Sequence, residues 1–145
     1  SECIWSESNK ELNFFVSDLG ELSSLEDFKE SDKTSMPGNT QARLKSGKNI
    51  IVKTISLNDI IEKQFNSKTP SYISIDTEGS EYEILKNFNF KKYRPLVFTI
   101  EHNFTELQLK IDELMYLNEY IRVFKSLTVF DAWYVAKEVF DEINI

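Results

Sequence analysis

Cysteine is almost missing from this 145-residue chain: Cys3 stands alone. An intrachain disulfide is therefore excluded, and so is a zinc site built from several thiolates. The usage fits a reducing, cytoplasmic setting. Glycine is scarce too. Gly20, Gly38, Gly47 and Gly79 are the four present, and no two lie close together. No apolar run approaches the ~20 residues needed to span a bilayer, so no membrane association is expected. The polar opening Ser1-Glu2-Cys3-Ile4-Trp5 lacks the pattern of a signal peptide. Positive charge is in short supply: 17 Lys and Arg face 24 Asp and Glu, for a net charge of −7. Affinity for phosphate backbones comes mainly from Lys and Arg, so nucleic acid is not an expected partner. Lys91, Lys92 and Arg94 form the nearest thing to a basic cluster and read as a solvated loop.

What the chain does have is core material. Apolar residues make up 41%, including 11 Phe, 6 Tyr and 2 Trp. The length suits a single domain over residues 1–145. Cys3-Ile4-Trp5 and Glu11 to Ser17 read as strands, and the polar link between them suggests a hairpin. Residues 20–49 are rich in Ser, Asp, Lys and Thr and contain Pro37-Gly38-Asn39. They read as a long polar loop or lid, with one helical turn around Leu22, Leu25 and Phe28. Loops of this length are either functional or disordered.

From residue 50 onward the pattern becomes regular. Ile50 to Ile55 is a β-branched strand. Ser56 caps a helix whose Leu57, Ile60, Ile61 and Phe65 share a face. Tyr72 to Ile75 is a short strand, and Ser80 with Glu83 has the spacing of a capping box for the next helix. Leu96 to Ile100 is a near-continuous apolar run, as in strands covered on both faces. Thr105 then opens a helix with Leu107, Ile111, Leu114 and Leu117 inward. Ile121 to Phe124 and Trp133 to Lys137 form an antiparallel pair joined by a turn near Asp131. Strand, helix, strand, helix, strand predicts an α/β fold with a mostly parallel sheet, closed by that C-terminal antiparallel pair.

Two of these strands end in acid. Asp76 follows Tyr72 to Ile75, and Glu101 follows Leu96 to Ile100. A helical crossover makes the strands parallel, so both acids fall at the carboxyl edge, where open α/β sheets bind ligands. Glu78, Gly79, His102 and Asn103 adjoin them. Gly79 is either a turn glycine or a point of close ligand approach. Ser80 and Glu83 read as caps, and Glu81 as a first-turn acid favoured by the helix dipole. Asp76 and Glu101 are candidate ligands for an oxygen-preferring metal such as Mg. Such an ion could orient a hydroxyl and lower its pKa. His102 is either a general base or a packed side chain. The pair Asp76-Thr77-Glu78 also matches the first acidic motif of 3′–5′ exonucleases, but their later acidic motif has no counterpart here.

The stretch from Ile50 to Glu101 resembles the FkbM family of S-adenosylmethionine-dependent methyltransferases. The matching pieces are Thr54-Ile55-Ser56-Leu57-Asn58-Asp59-Ile60-Ile61, Ile73-Ser74-Ile75-Asp76-Thr77-Glu78-Gly79-Ser80-Glu81 and Ile84-Leu85-Lys86. Phe14 to Leu25, with Ser23-Ser24, is similar to the family's strand and Ser-Ser pair. Ser74 stands where Lys is usual, and Asn87 where Gly is common.

The resemblance implies a Rossmann-like class I methyltransferase sheet and O-methylation of a sugar or natural product. By similarity to metal-dependent O-methyltransferases, it makes Asp76 and Glu101 metal ligands. Asp76 and His102 become candidate catalytic residues, with Glu78, Gly79 and Asn103 supporting the site. The family's glycine-rich cofactor turn has no counterpart among the four glycines, and neither does its ribose-binding acid. The sequence thus reads as a C-terminal portion that starts inside the third strand. Such a portion is expected to be inactive alone and to self-associate through open sheet edges. The rival expectation is a non-catalytic domain that keeps the fold for partner binding.

Overall fold

The β-branched run Ile50-Ile51-Val52 is the best strand former in the first half of the chain, and the sheet built there is organised around it. In a computed structural model, which describes residues 2–143, it forms the long strand β4 (Gly47–Ser56). Strands β1 (Glu2–Trp5), β2 (Glu11–Ser17) and β3 (Ser24–Leu25) join it in the order β1-β4-β2-β3. β1 runs parallel to β4, whereas β2 is antiparallel to it. The hairpin expected between β1 and β2 is therefore not formed; β4 lies between them. The link turns at Asn9, which has a φ of 62°, and pins itself to β4 through Asn9 N–H and the Thr54 carbonyl at 2.8 Å.

Residues 20–49 also differ from a plain loop. They hold two 3-10 turns (Gly20–Leu22 and Glu26–Phe28), the strand β3 and the helix α1 (Pro37–Lys45). Pro37 opens α1, where the missing N–H costs nothing, and Arg43 and Lys45 sit in its last turn, where cations favour the dipole.

A second sheet, in the order β5-β6-β8-β7, carries the candidate site. β5 (Tyr72–Ile75) and β6 (Val97–Glu101) are parallel, with Ile75 opposite Ile100. β7 (Tyr120–Val123) and β8 (Asp131–Ala136) are the expected antiparallel pair, and β8 also runs antiparallel to β6. The architecture is thus mixed α/β with two partly parallel sheets rather than one mostly parallel sheet. β5 cannot pair with β4 because β1 and β2 already occupy both edges of β4.

Helix α2 (Leu57–Gln64) begins as expected: the Ser56 hydroxyl accepts from Asp59 N–H at 3.1 Å. Leu57 and Ile61 are buried, while Phe65, at the frayed end, is half exposed. Helix α3 (Glu81–Leu85) buries Ile84 and Leu85. Helix α4 (Leu107–Leu117) buries Ile111 and Met115 but leaves Leu117 in solvent, and no side chain caps its N-terminus. The expected Thr105 cap and inward Leu117 are therefore not observed; the seam turns away from the core at the last turn. A final helix, α5, covers Lys137–Ile143.

The core lies around β6, whose Phe98 and Ile100 are fully buried. Phe88, Phe90 and Tyr120 pack on Phe98 and Tyr93 stacks on Phe88, with most of the ring pairs edge to face. Each such burial is worth about 1.5–3 kcal/mol. This aromatic cluster makes β6 the fixed element from which Glu101 projects. Among the described residues, no helix is long and apolar enough to cross a membrane.

Candidate active site

Parallel pairing of β5 and β6 brings the ends of both strands to one edge, and the acids that follow converge there. Carboxylate oxygens of Asp76, Glu78 and Glu101 all lie within 4.8 Å of one another. Asp76 is exposed, whereas Glu78 and Glu101 are each only 9% accessible. The backbone turns sharply to achieve this. Glu78 has a φ of 58° and Gly79 of 114°, and after β6 Asn103 and Phe104 are also in the left-handed region.

Gly79 is required twice over. Its φ disfavours any L side chain, and an added Cβ would lie 2.3 Å from Ser31 Oγ. The close approach is thus made by the protein's own chain. Gly79→Ala should cost about 2 kcal/mol or more of stability, read as a lower urea midpoint with unchanged slope. A midpoint equal to wild type would show that the turn relaxes freely.

The turn is held from inside by Glu81. Its Oε1 accepts from Thr77 N–H at 2.8 Å, Thr77 Oγ1 at 2.9 Å and Gly79 N–H at 3.1 Å. Glu81 is nearly inaccessible, and burial raises its pKa despite these bonds. The sequence expectation of a Ser80–Glu83 capping box is not met. Ser80 makes no cap bond and donates instead to Thr77 Oγ1. Glu81 supersedes it because it reaches back under the loop that α3 follows.

Electrostatics within the cluster are unfavourable to three full charges. Burial, then Asp76, Glu78 and Glu81, push Glu101 up to about 9. The Asn103 amide opposes this, donating to Glu101 Oε1 at 2.7 Å. Burial also raises Glu78, against the pull of the Arg43 guanidinium. Glu101 therefore holds a proton at neutral pH, which relieves repulsion among close carboxylates. His102 lies beside Glu101 but outside the carboxylate cluster. Its Nδ1 accepts from Phe104 N–H at 3.0 Å, and its own backbone N–H donates to the Phe130 carbonyl. Burial, reinforced by Arg122, lowers its pKa and keeps the ring neutral.

A match to the methyltransferase FkbM domain family covers residues 4–127 of the 145. The chain belongs to that family. No curated protein and no solved structure matches it. Within this FkbM domain, the motif from Ile75 to Glu81 supplies two of the three carboxylates, Asp76 and Glu78, and the turn that presents them. A groove of about 330 Å³ opens beside Asp76, Thr77 and Ser80, with Leu25 and Val52 among its apolar lining and Glu2 and Ser23 among its polar lining. A second groove, lined by Ser31, Thr34, Ser35, Phe104 and Thr105, flanks the other side.

Sequence reasoning missed Arg43 and Asp32, both fully buried, with Arg43 bonded to Glu78. Pro37 in the first turn, followed by basic residues near the end, was the available signal for the helix that carries Arg43. Nothing local announces that its guanidinium turns inward.

Proposed function

We propose that this FkbM domain serves S-adenosylmethionine-dependent O-methylation of a hydroxyl on a small molecule, a sugar or natural product. The observation that carries the reading is the meeting of Asp76, Glu78 and Glu101 within 4.8 Å at the carboxyl edge of β5 and β6. Methyl transfer to oxygen requires the hydroxyl to lose its proton, and a positioned base speeds that step. Asp76 is the exposed carboxylate of the cluster and the first candidate base. Glu101, protonated, can donate to the acceptor and hold it in line. His102 is the second candidate base: in the neutral ring Nδ1, which accepts from Phe104 N–H, holds the basic lone pair and Nε2 carries the proton. Glu78, Gly79 and Asn103 support the geometry.

The methyl donor supplies a reactive sulfonium. Of the four glycines, Gly79 is filled by Ser31 and Gly47 is packed on Phe15, so neither lines an open turn for it. With Glu101 deprotonated instead, the oxygen-rich set would suit a hard divalent cation such as Mg, with Asp76 and Glu101 as its ligands. Bound there, it would lower the pKa of the acceptor hydroxyl. A small-molecule acceptor, no nucleic acid, no membrane, a cytoplasmic location and self-association through open strand edges complete the reading.

Calorimetric titration of S-adenosylmethionine into the full-length protein tests it. Saturable binding at one site is expected. Absence of binding with and without Mg would overturn the proposal and favour a non-catalytic partner-binding domain.

A further inference from the structure

The connection between β2 and β4 departs at Ser17 and returns at Gly47, adding β3 to the sheet on the way. Ser17 and Gly47 are register partners, and Asp18 N–H donates to the Ser46 carbonyl at 3.0 Å. The Ser46 hydroxyl donates to the Asp18 carboxylate. Residues 18–46 are thus a closed excursion, and its centre is ionic. Arg43 is 0% accessible and Asp32 2%.

Most of the Arg43 guanidinium is satisfied inside the excursion. Nε donates to the Leu22 carbonyl at 2.7 Å, and Nη1 to the Lys29 carbonyl at 2.9 Å and Asp32 Oδ1 at 2.8 Å. Nη2 donates to Asp32 Oδ2 at 3.3 Å, and Thr40 Oγ1 donates to Asp32 Oδ1 at 2.6 Å. One bond leaves the excursion: Nη2 donates to Glu78 Oε2, in the loop after β5. Ser31 reinforces that contact, donating to the Glu78 carbonyl at 3.4 Å and occupying the space above Gly79.

A buried ion pair is a poor source of net stability compared with apolar packing, but it is demanding about geometry. An apolar side chain at position 43 would leave the buried Asp32 carboxylate without its cation. What a guanidinium adds is a directional claim on one oxygen of Glu78. The same carboxylate group has an oxygen within 4.8 Å of carboxylate oxygens of Asp76 and Glu101.

We propose that Arg43, braced by Asp32, is a positioning residue for the carboxylate cluster: it fixes Glu78 against Asp76 and Glu101, so that ordering of residues 18–46 and assembly of the site are one coupled event. The inference rests on the proposed function only in taking the cluster as the active site. The coupling itself is a property of the fold.

Hydrogen exchange on the full-length protein tests it, in wild type, Arg43→Lys, Arg43→Met and Glu78→Gln. Glu78→Gln should speed exchange of amides 26–36 by more than tenfold, although the change lies in the loop after β5. Arg43→Met should do the same to amides 77–80, with Arg43→Lys intermediate, while amides 98–100 of β6 keep wild-type rates. At one fixed pH, the side-chain carboxyl carbon resonance of Glu101 should move in both Arg43 variants, a signature that a merely structural helix residue would not give. Wild-type rates at 26–36 in Glu78→Gln would overturn the proposal, as would an unmoved Glu101 resonance in Arg43→Lys. If Arg43→Met does not fold, those two variants decide. Failure to bind S-adenosylmethionine would sink the proposed function and leave these readouts intact.

Discussion

Asp76→Asn should lower kcat/KM for methyl transfer by about 100-fold or more, the usual range for loss of a positioned base. The loss should fall on kcat, because the amide keeps the shape of the carboxylate and its hydrogen-bond acceptor while losing the capacity to take a proton. Fold stability should change little, since Asp76 is exposed. A fall of less than about threefold, with the variant fully folded, would remove Asp76 from the proposed chemistry and leave His102 as the base.

Glu101→Gln should change how stability depends on pH. In the folded chain Glu101 is pushed up to about 9, whereas an unfolded Glu titrates near its ordinary value of 4.5. Between those values the folded state binds more protons than the unfolded one. Stability from this group is therefore fully present below about pH 4.5 and is lost as pH rises through the window to about 9. The slope is at most about 1.4 kcal/mol per pH unit. Glutamine keeps the acceptor for the Asn103 amide and needs no proton. In chelator-treated buffer, urea unfolding of Glu101→Gln should show a flatter profile and a gain of about 1–3 kcal/mol at pH 8. Parallel profiles, or a variant less stable at pH 8, would show that Glu101 is not held protonated.

Local pattern was readable where the elements are autonomous. Ser56 caps its helix as its type and position dictate, and the apolar run Val97 to Ile100 is covered on both faces with Glu101 at its end. The strand-end acids follow directly, because a helical crossover fixes the direction of both strands. What was not readable depends on partners remote in sequence. Pairing of β4 between β1 and β2 is a competition among strands that no single segment reveals. Glu81 has the position of a dipole-favoured first-turn acid, and nothing local shows that it is buried under its own loop. Arg43 looked like one more charge in a polar stretch. Its role appears only when Asp32 and Glu78, 11 and 35 positions away, close around it.

The central claim is that the edge bearing Asp76 and Glu101 handles the acceptor in O-methylation. Its most direct test is incorporation of labelled methyl from S-adenosylmethionine into hydroxyl acceptors by full-length wild type and Asp76→Asn, side by side. The account predicts label in an ether linkage on the acceptor with wild type and at least a hundredfold less with the variant. Equal incorporation by both, or none by wild type with any sugar or natural-product acceptor despite bound cofactor, would contradict it.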